Sequence, residues 1–123
     1  MEVYYETLCP DTRHLIRAQI YPVWEELSHI MDIHWKPYGK AQVTPLASLF
    51  LLKKTSRPFF QHWEDEQIGY AFNCHNGPLE CVGNMVHACS IKYIRDEAKL
   101  ADFIHCMIED NYEPKEIGKY VML

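Results

Sequence analysis

Val3-Tyr4-Tyr5-Glu6-Thr7-Leu8-Cys9-Pro10-Asp11-Thr12 runs from a β-prone segment into a cysteine that opens a helix. Val3, Tyr5 and Thr7 alternate with Glu2, Tyr4 and Glu6, the period-two pattern of a strand. Pro10 fits a first helical turn, where its missing N–H leaves no bond unmade. Ile16, Ile20, Val23, Trp24, Leu27 and Ile30 then recur at helical spacing, and Pro22 is expected to kink that helix rather than end it. Ile33 and Trp35 alternate with Asp32, His34 and Lys36 as a second strand, closed by Pro37-Tyr38-Gly39. Strand, helix and strand within about 36 residues form a βαβ unit, which implies a parallel pair and an α/β fold.

The chain has 123 residues, 48% of them hydrophobic, which suits one globular domain over residues 1–123. Its net charge is −5 and its basic residues do not cluster beyond Lys53-Lys54 and Arg57. A nucleic-acid surface needs a basic stripe, so that class of partner is disfavoured. No stretch approaches the ~20 apolar residues of a membrane span, and Leu46 to Leu52 is too short. Met1-Glu2-Val3-Tyr4 lacks the basic and apolar regions of a signal peptide. If the protein is exported, the chain is expected to be mature or incomplete.

The middle is less orderly. Leu46 to Lys54 reads as a short helix, Glu64-Asp65-Glu66 as a solvated acidic loop, and Ile68 to Phe72 as a short strand. Cys74-His75-Asn76-Gly77-Pro78 is turn chemistry, since Asn-Gly tolerates positive φ and proline suits the next helix start. Leu79, Val82, Met85, Val86 and Cys89 then share one helical face, which leaves His87 at the surface. Asp96 caps a last strong helix, where Leu100, Phe103, Ile104, Met107 and Ile108 give the cleanest amphipathic period. Trp24, Trp35 and Trp63 read as core or partly buried residues rather than ligand platforms.

Cys74, Cys81, Cys89 and Cys106 fall in one region and Cys9 stands apart. Four plus one reads as two structural disulfides and one functional thiol, with connectivity open; five buried free thiols are the alternative. Zinc spacing of the Cys-x2-Cys or His-x3-His kind is absent, so no metal and no cofactor are expected. A thiolate at a helix N-terminus gains from the helix dipole, which can lower a thiol from ~8.5 towards neutrality and make it a nucleophile towards a disulfide sulfur. The usual cycle has a second cysteine three residues on. That position is Thr12, whose hydroxyl could hydrogen-bond the Cys9 thiolate but cannot resolve a mixed disulfide. His14, one turn into the helix, reads as a solvated helix-face residue.

Tyr4 to Pro10, Tyr21-Pro22-Val23-Trp24 and Pro37 to Ala41 resemble, in sequence and order, the gamma-interferon-inducible lysosomal thiol reductase (GILT) family. The strongest match is Cys74-His75-Asn76-Gly77-Pro78-Leu79-Glu80-Cys81-Val82-Gly83-Asn84-Met85-Val86-His87-Ala88-Cys89. It is similar to the family signature C-Q-H-G-x-x-E-C-x-x-N-x-x-x-x-C and keeps Gly77, Glu80, Asn84 and all three cysteines in register. The resemblance implies a thioredoxin-like fold with a helical insertion, in an acidic endosomal or lysosomal compartment or secreted. It implies reduction of protein disulfides, with Cys9 at the attacking position and Thr12 at that of the resolving cysteine. Cys74, Cys81, Cys89 and Cys106 match the framework cysteines, for which the family context favours disulfides.

The chain departs from the family in having His75-Asn76 for Gln-His, an atypical connection at about 43–67, and an end at Leu123. The family continues with a strand hairpin, a last helix and a proline-containing loop facing the site, so the second half of the sheet is expected to be missing. The leading expectation is a GILT-like thiol–disulfide oxidoreductase whose single nucleophile, Cys9, acts on disulfide-bonded client proteins. Its turnover is impaired and needs an external small-molecule thiol. The alternatives are a non-catalytic secreted or endolysosomal binding protein and an incomplete product without stable function.

Overall fold

The computed structural model describes residues 1–45, 64–65, 70–111 and 113–121. The expected helix at Leu46 to Lys54, most of the atypical connection, and Trp63 lie outside the described residues. Strand β1 (Glu2–Tyr5) pairs in parallel with β2 (His34–Pro37), in the register Val3↔Trp35 and Tyr5↔Pro37. This register buries Val3, Tyr5 and Trp35 and exposes Glu2, Tyr4, His34 and Lys36, as the period-two pattern requires. The ring of Tyr5 meets that of Trp35 edge to face, with centroids 6.0 Å apart.

Between these strands lies a helical crossover: α1 (Pro10–Leu15), a π-helical turn (Ile16–Ile20), α2 (Tyr21–Leu27) and a 3-10 turn (Ser28–Ile30). Proline has no N–H to donate and its ring crowds the carbonyl four residues back. The helix meets Pro22 by winding wider just before it, where the Tyr21 N–H reaches Ile16 O, five residues back. The helix therefore runs through Pro22 into α2, with Ile16 and Trp24 buried.

A second, antiparallel sheet has the order β3–β5–β4, formed by β3 (Gln42–Pro45), β4 (Glu64–Asp65) and β5 (Tyr70–Asn73). The acidic stretch expected to be a solvated loop thus contributes a two-residue edge strand at Glu64–Asp65. The backbone pairing of those residues to Ala71 and Tyr70 overrides their low β-propensity. Helices α3 (Pro78–Tyr93), α4 (Glu97–Glu109) and α5 (Pro114–Val121) follow. Asp96 caps α4, accepting from the Lys99 N–H at 3.0 Å. Phe103, Ile104, Met107 and Ile108 of α4 are buried with Val3, Tyr5, Ile16 and Trp35 in one core cluster, and Leu100 packs against it.

Helix α3 departs from the expected pattern. Leu79, Met85 and Cys89 are exposed, whereas Glu80, Asn84, His87 and Ser90 are buried beside Cys81, Val82 and Gly83. The inward face is therefore a polar stripe, and His87 is a core residue at 1% exposure rather than a surface one. Its Nδ1 lies 2.8 Å from Tyr5 Oη, and its ring packs between those of Tyr5 and Phe103. The hydrogen bond and the aromatic walls make a neutral imidazole at home in the core.

Burial pulls His87 down from its ordinary 6.5 to about 3. As pH falls, the unfolded chain takes up that proton first, so the neutral ring contributes stability that is complete above pH ~6.5. That contribution is lost towards pH 3, at up to about 1.4 kcal/mol per pH unit. Thermal melts between pH 7 and 4 should show this slope in the wild type and a shallower one in His87→Gln. Parallel curves would contradict the assignment.

Candidate functional site: an anchored thiol loop

Cys9 is the N-cap of α1, with extended backbone angles and no side-chain capping bond. Its thiol is free and partly exposed. What distinguishes the site is the loop that delivers it. All four backbone N–H groups from Glu6 to Cys9 have a partner. Glu6 N–H donates to Thr12 Oγ1 (3.4 Å), and Thr7 N–H to Asn84 Oδ1 (3.2 Å). Leu8 N–H donates to Glu80 Oε2 (3.3 Å), and Cys9 N–H to Glu6 O (3.3 Å). Thr7 O accepts from Asn111 Nδ2 at 2.8 Å, and Thr7 Oγ1 reaches Glu80 O and Asn84 Oδ1 at 3.2 and 3.0 Å. A buried loop has to satisfy its backbone groups within the protein, and this one does so through α3 side chains at Thr7 and Leu8 N–H and through Thr12, Asn111 and its own Glu6 carbonyl elsewhere.

The cysteine-rich motif builds the other half. Gly77, at φ 91°, turns the chain from β5 into α3, and Pro78 begins the helix. The turn brings Cys74 to Cys81, which form a disulfide across seven residues with Cα atoms 5.6 Å apart. It also places Asn76, whose N–H and side-chain amide donate to Glu80 Oε1 (3.1 Å) and Oε2 (2.6 Å). Glu80, at 0% exposure, therefore accepts three N–H bonds, two from the stapled turn and one from the thiol loop. Where two structural disulfides are expected from the cysteine count, the structure has one, and Cys89 and Cys106 are free thiols. Cys89 sits on the exposed face of α3 and Cys106 is half-buried on α4, so neither shares the turn that joins Cys74 to Cys81.

A second buried carboxyl, Glu6, ties in the loop after β2. Glu6 Oε1 accepts from Lys40 N at 2.7 Å, and Oε2 lies 3.3 Å from both His75 Nδ1 and Asn76 Nδ2. Gly39, at φ 54°, makes that approach possible, because a Cβ there would run into the Glu6 side chain. Burial pushes the Glu6 carboxyl up, but the Lys40 N–H, the His75 hydrogen bond and the nearby cationic charge outweigh it and hold it below the usual range.

The structure thus brings Gly77, Glu80, Asn84, Cys74 and Cys81 to the base of the Cys9 loop. Thr12 is buried beside it, bonded to the Glu6 N–H rather than to the Cys9 sulfur; the hydroxyl sits where it closes the loop's first amide. His14 is exposed on the helix. Glu6, Thr7, Asn76, His87 and Asn111 were not legible as site residues from motif spacing. The available signal was the polar stripe Glu80, Asn84 and His87 at i, i+4 and i+7, which competes with the apolar face of Leu79, Val82, Met85 and Val86. Among the described residues no group of three or more His, Cys, Asp or Glu is placed to hold a metal, and no helix is long and apolar enough to cross a membrane.

A free thiol at a helix start, in a parallel βαβ frame and beside a disulfide-stapled turn, defines a thiol protein of mixed α/β class. The family model of gamma interferon inducible lysosomal thiol reductase matches residues 1–55 and 51–120. The chain is 33% identical over 115 residues to a gamma-interferon-inducible lysosomal thiol reductase-like protein of Anopheles gambiae, covering 86% of this chain and 39% of that one. It is 33% identical over 119 residues to GILT-like protein 1 of Drosophila melanogaster, covering 89% and 40%. It is 30% identical over 118 residues to the gamma-interferon-inducible lysosomal thiol reductase of Mus musculus, covering 96% and 39%. The chain belongs to the GILT family, and it spans two-fifths or less of the length of these relatives.

Two substitutions test the anchoring. Gly83 faces Thr7, and an added methyl would meet Thr7 Oγ1 inside contact distance and Thr7 Cβ at 3.0 Å. Gly83→Ala should therefore cost about 1–3 kcal/mol in denaturant unfolding, and no change would show that the loop yields freely. Glu6→Gln should be less stable than the wild type by about 1–3 kcal/mol near neutrality. A lowered carboxyl contributes stability above its unfolded value of 4.5, lost as pH falls through the folded value, so the gap should narrow below pH 4.5. A gap constant with pH would refute the role of the Glu6 charge.

Proposed function

We propose that this protein is a GILT-like thiol–disulfide oxidoreductase in which Cys9 attacks protein disulfides, with turnover limited by the missing second thiol. The observation that carries the reading is the unpaired, partly exposed Cys9 sulfur on a loop whose amides are all anchored. Such a loop holds a nucleophile in one place without engaging its sulfur, as positioning for attack requires. The names of the relatives, thiol reductase and GILT-like, agree with that chemistry. A single thioredoxin-like domain over residues 1–123, with a helical insertion, accounts for the parallel βαβ unit and the family membership. Disulfide-bonded clients in an endolysosomal compartment or outside the cell would be its substrates.

Thr12 favours a second reading, a binding protein that keeps the scaffold and lacks turnover, because the residue at the second-thiol position serves the loop instead, its oxygen accepting from Glu6 N–H. The two are separable with Cys89→Ser and Cys106→Ser in place, since Cys89 is exposed and would otherwise react. An alkyl disulfide should then form a mixed disulfide mapped to Cys9 by mass spectrometry, and Cys9→Ser should abolish it. Thr12→Cys should raise client reduction by an external thiol about tenfold or more, and cost about 1 kcal/mol of stability for the lost Glu6 N–H bond. A Cys9 inert to disulfides would leave the binding protein as the correct reading.

A further inference from the structure

An open groove of about 670 Å³ runs between α1 with its π turn and α4, and it begins at Pro10, the residue after Cys9. Arg13, His14 and Arg17 line one side, and His105 and Glu109 the other. The charges do not cancel. Arg17 is paired with the Glu109 carboxylate at 3.0 Å, whereas Arg13 donates through Nη2 to the Glu109 backbone carbonyl at 2.6 Å. Among the described residues Arg13 has no carboxylate partner, and its buried Nε has no hydrogen-bond partner. Nε is out of a ligand's reach, but a guanidinium that lines the groove and has no carboxylate partner offers its outer edge to a carboxylate. His105 is held in place on the opposite wall, stacked on Tyr21 at 3.8 Å, while the Tyr21 hydroxyl donates to Asp102 at 2.8 Å. The volume lies within the range of small-molecule sites.

We infer that this groove binds a carboxylate-bearing small thiol and presents it to Cys9 as the external resolving thiol. The inference rests on Cys9 acting as the nucleophile. Cys9 thiolate attacks a client disulfide, forming a Cys9–client disulfide and releasing one client thiolate. The thiolate of the small molecule then attacks Cys9 Sγ, breaking the Cys9–client bond. The second client thiolate leaves and takes a proton from solvent. A second small thiolate attacks the small-molecule sulfur now bonded to Cys9, which forms the small disulfide and frees the Cys9 thiolate. Two small thiols are oxidised to one disulfide while one client disulfide is reduced to two thiols. Threonine at position 12 creates the need for an external thiol, and the groove that Pro10 lines, one residue from Cys9, supplies a place for it.

The test uses the full chain with Cys89→Ser and Cys106→Ser, and compares mixed-disulfide formation at Cys9 from oxidised glutathione, bis(2-hydroxyethyl) disulfide and cystamine, which are anionic, neutral and cationic. The anionic disulfide should react about tenfold or more faster than the cationic one at low salt. That ratio should shrink with added salt, collapse towards one in Arg13→Gln, and largely survive in Arg13→Lys. Binding without chemistry is read separately in Cys9→Ser, where S-methylglutathione should shift the His14 and His105 ring signals. A reagent order indifferent to charge, or no ring shifts, would overturn the groove assignment while leaving Cys9 as a nucleophile. Ring shifts from a thiol-free acidic peptide with none from S-methylglutathione would also overturn it. Failure of all three disulfides to react would instead remove the reading of Cys9 on which the inference stands.

Discussion

Glu80 has no exposed surface, and its two oxygens accept from Leu8 N–H, Asn76 N–H and the Asn76 side-chain amide. An acidic side chain taken out of water is tolerated only when its acceptors are filled, and removing one partner leaves a larger penalty than the bond itself is worth. The filling groups come from opposite sides, from the loop that carries Cys9 and from the turn closed by Cys74–Cys81. Neither can move without exposing or orphaning the carboxyl. The site geometry follows from that one constraint, with Asn84, Thr12 and the Glu6 carbonyl completing the loop's amide inventory.

This arrangement gives the signature a physical meaning. Gly77 turns the chain, the disulfide holds the turn, Asn76 fills Glu80, and Glu80 holds Leu8, one residue from the sulfur. The substitution of asparagine for the family histidine keeps a donor at position 76, so the anchor survives that departure. Thr12 has a different standing. Its oxygen accepts from Glu6 N–H and so supports the loop at its first amide.

The fold was legible where apolar periodicity and backbone need agreed. The alternation of Val3, Tyr5 and Trp35 and the 3.6-residue period of Phe103, Ile104, Met107 and Ile108 led to the parallel pair and to α4 as observed. Helix α3 was legible as a helix but not in its orientation, because it buries a polar face whose partners lie 72 and 77 residues away at Leu8 and Thr7. A periodicity argument assumes that the inward face is apolar, and satisfied hydrogen bonds remove that assumption. Cys9 and Thr12 were visible as a motif, but Asn111, 104 residues from Thr7, and the Glu6–Lys40 contact depend on tertiary approach. The β4 strand arises from pairing rather than from propensity.

Glu80 holds the thiol loop through the Leu8 amide. Hydrogen exchange of individual backbone amides, compared between the wild type and Glu80→Ala, measures that bond in place. Leu8 exchange should speed up by about tenfold or more in the variant, while Ile104 and Met107 in the core keep their protection. Unchanged exchange at Leu8 would contradict it, as would a uniform acceleration of the Leu8 and core amides.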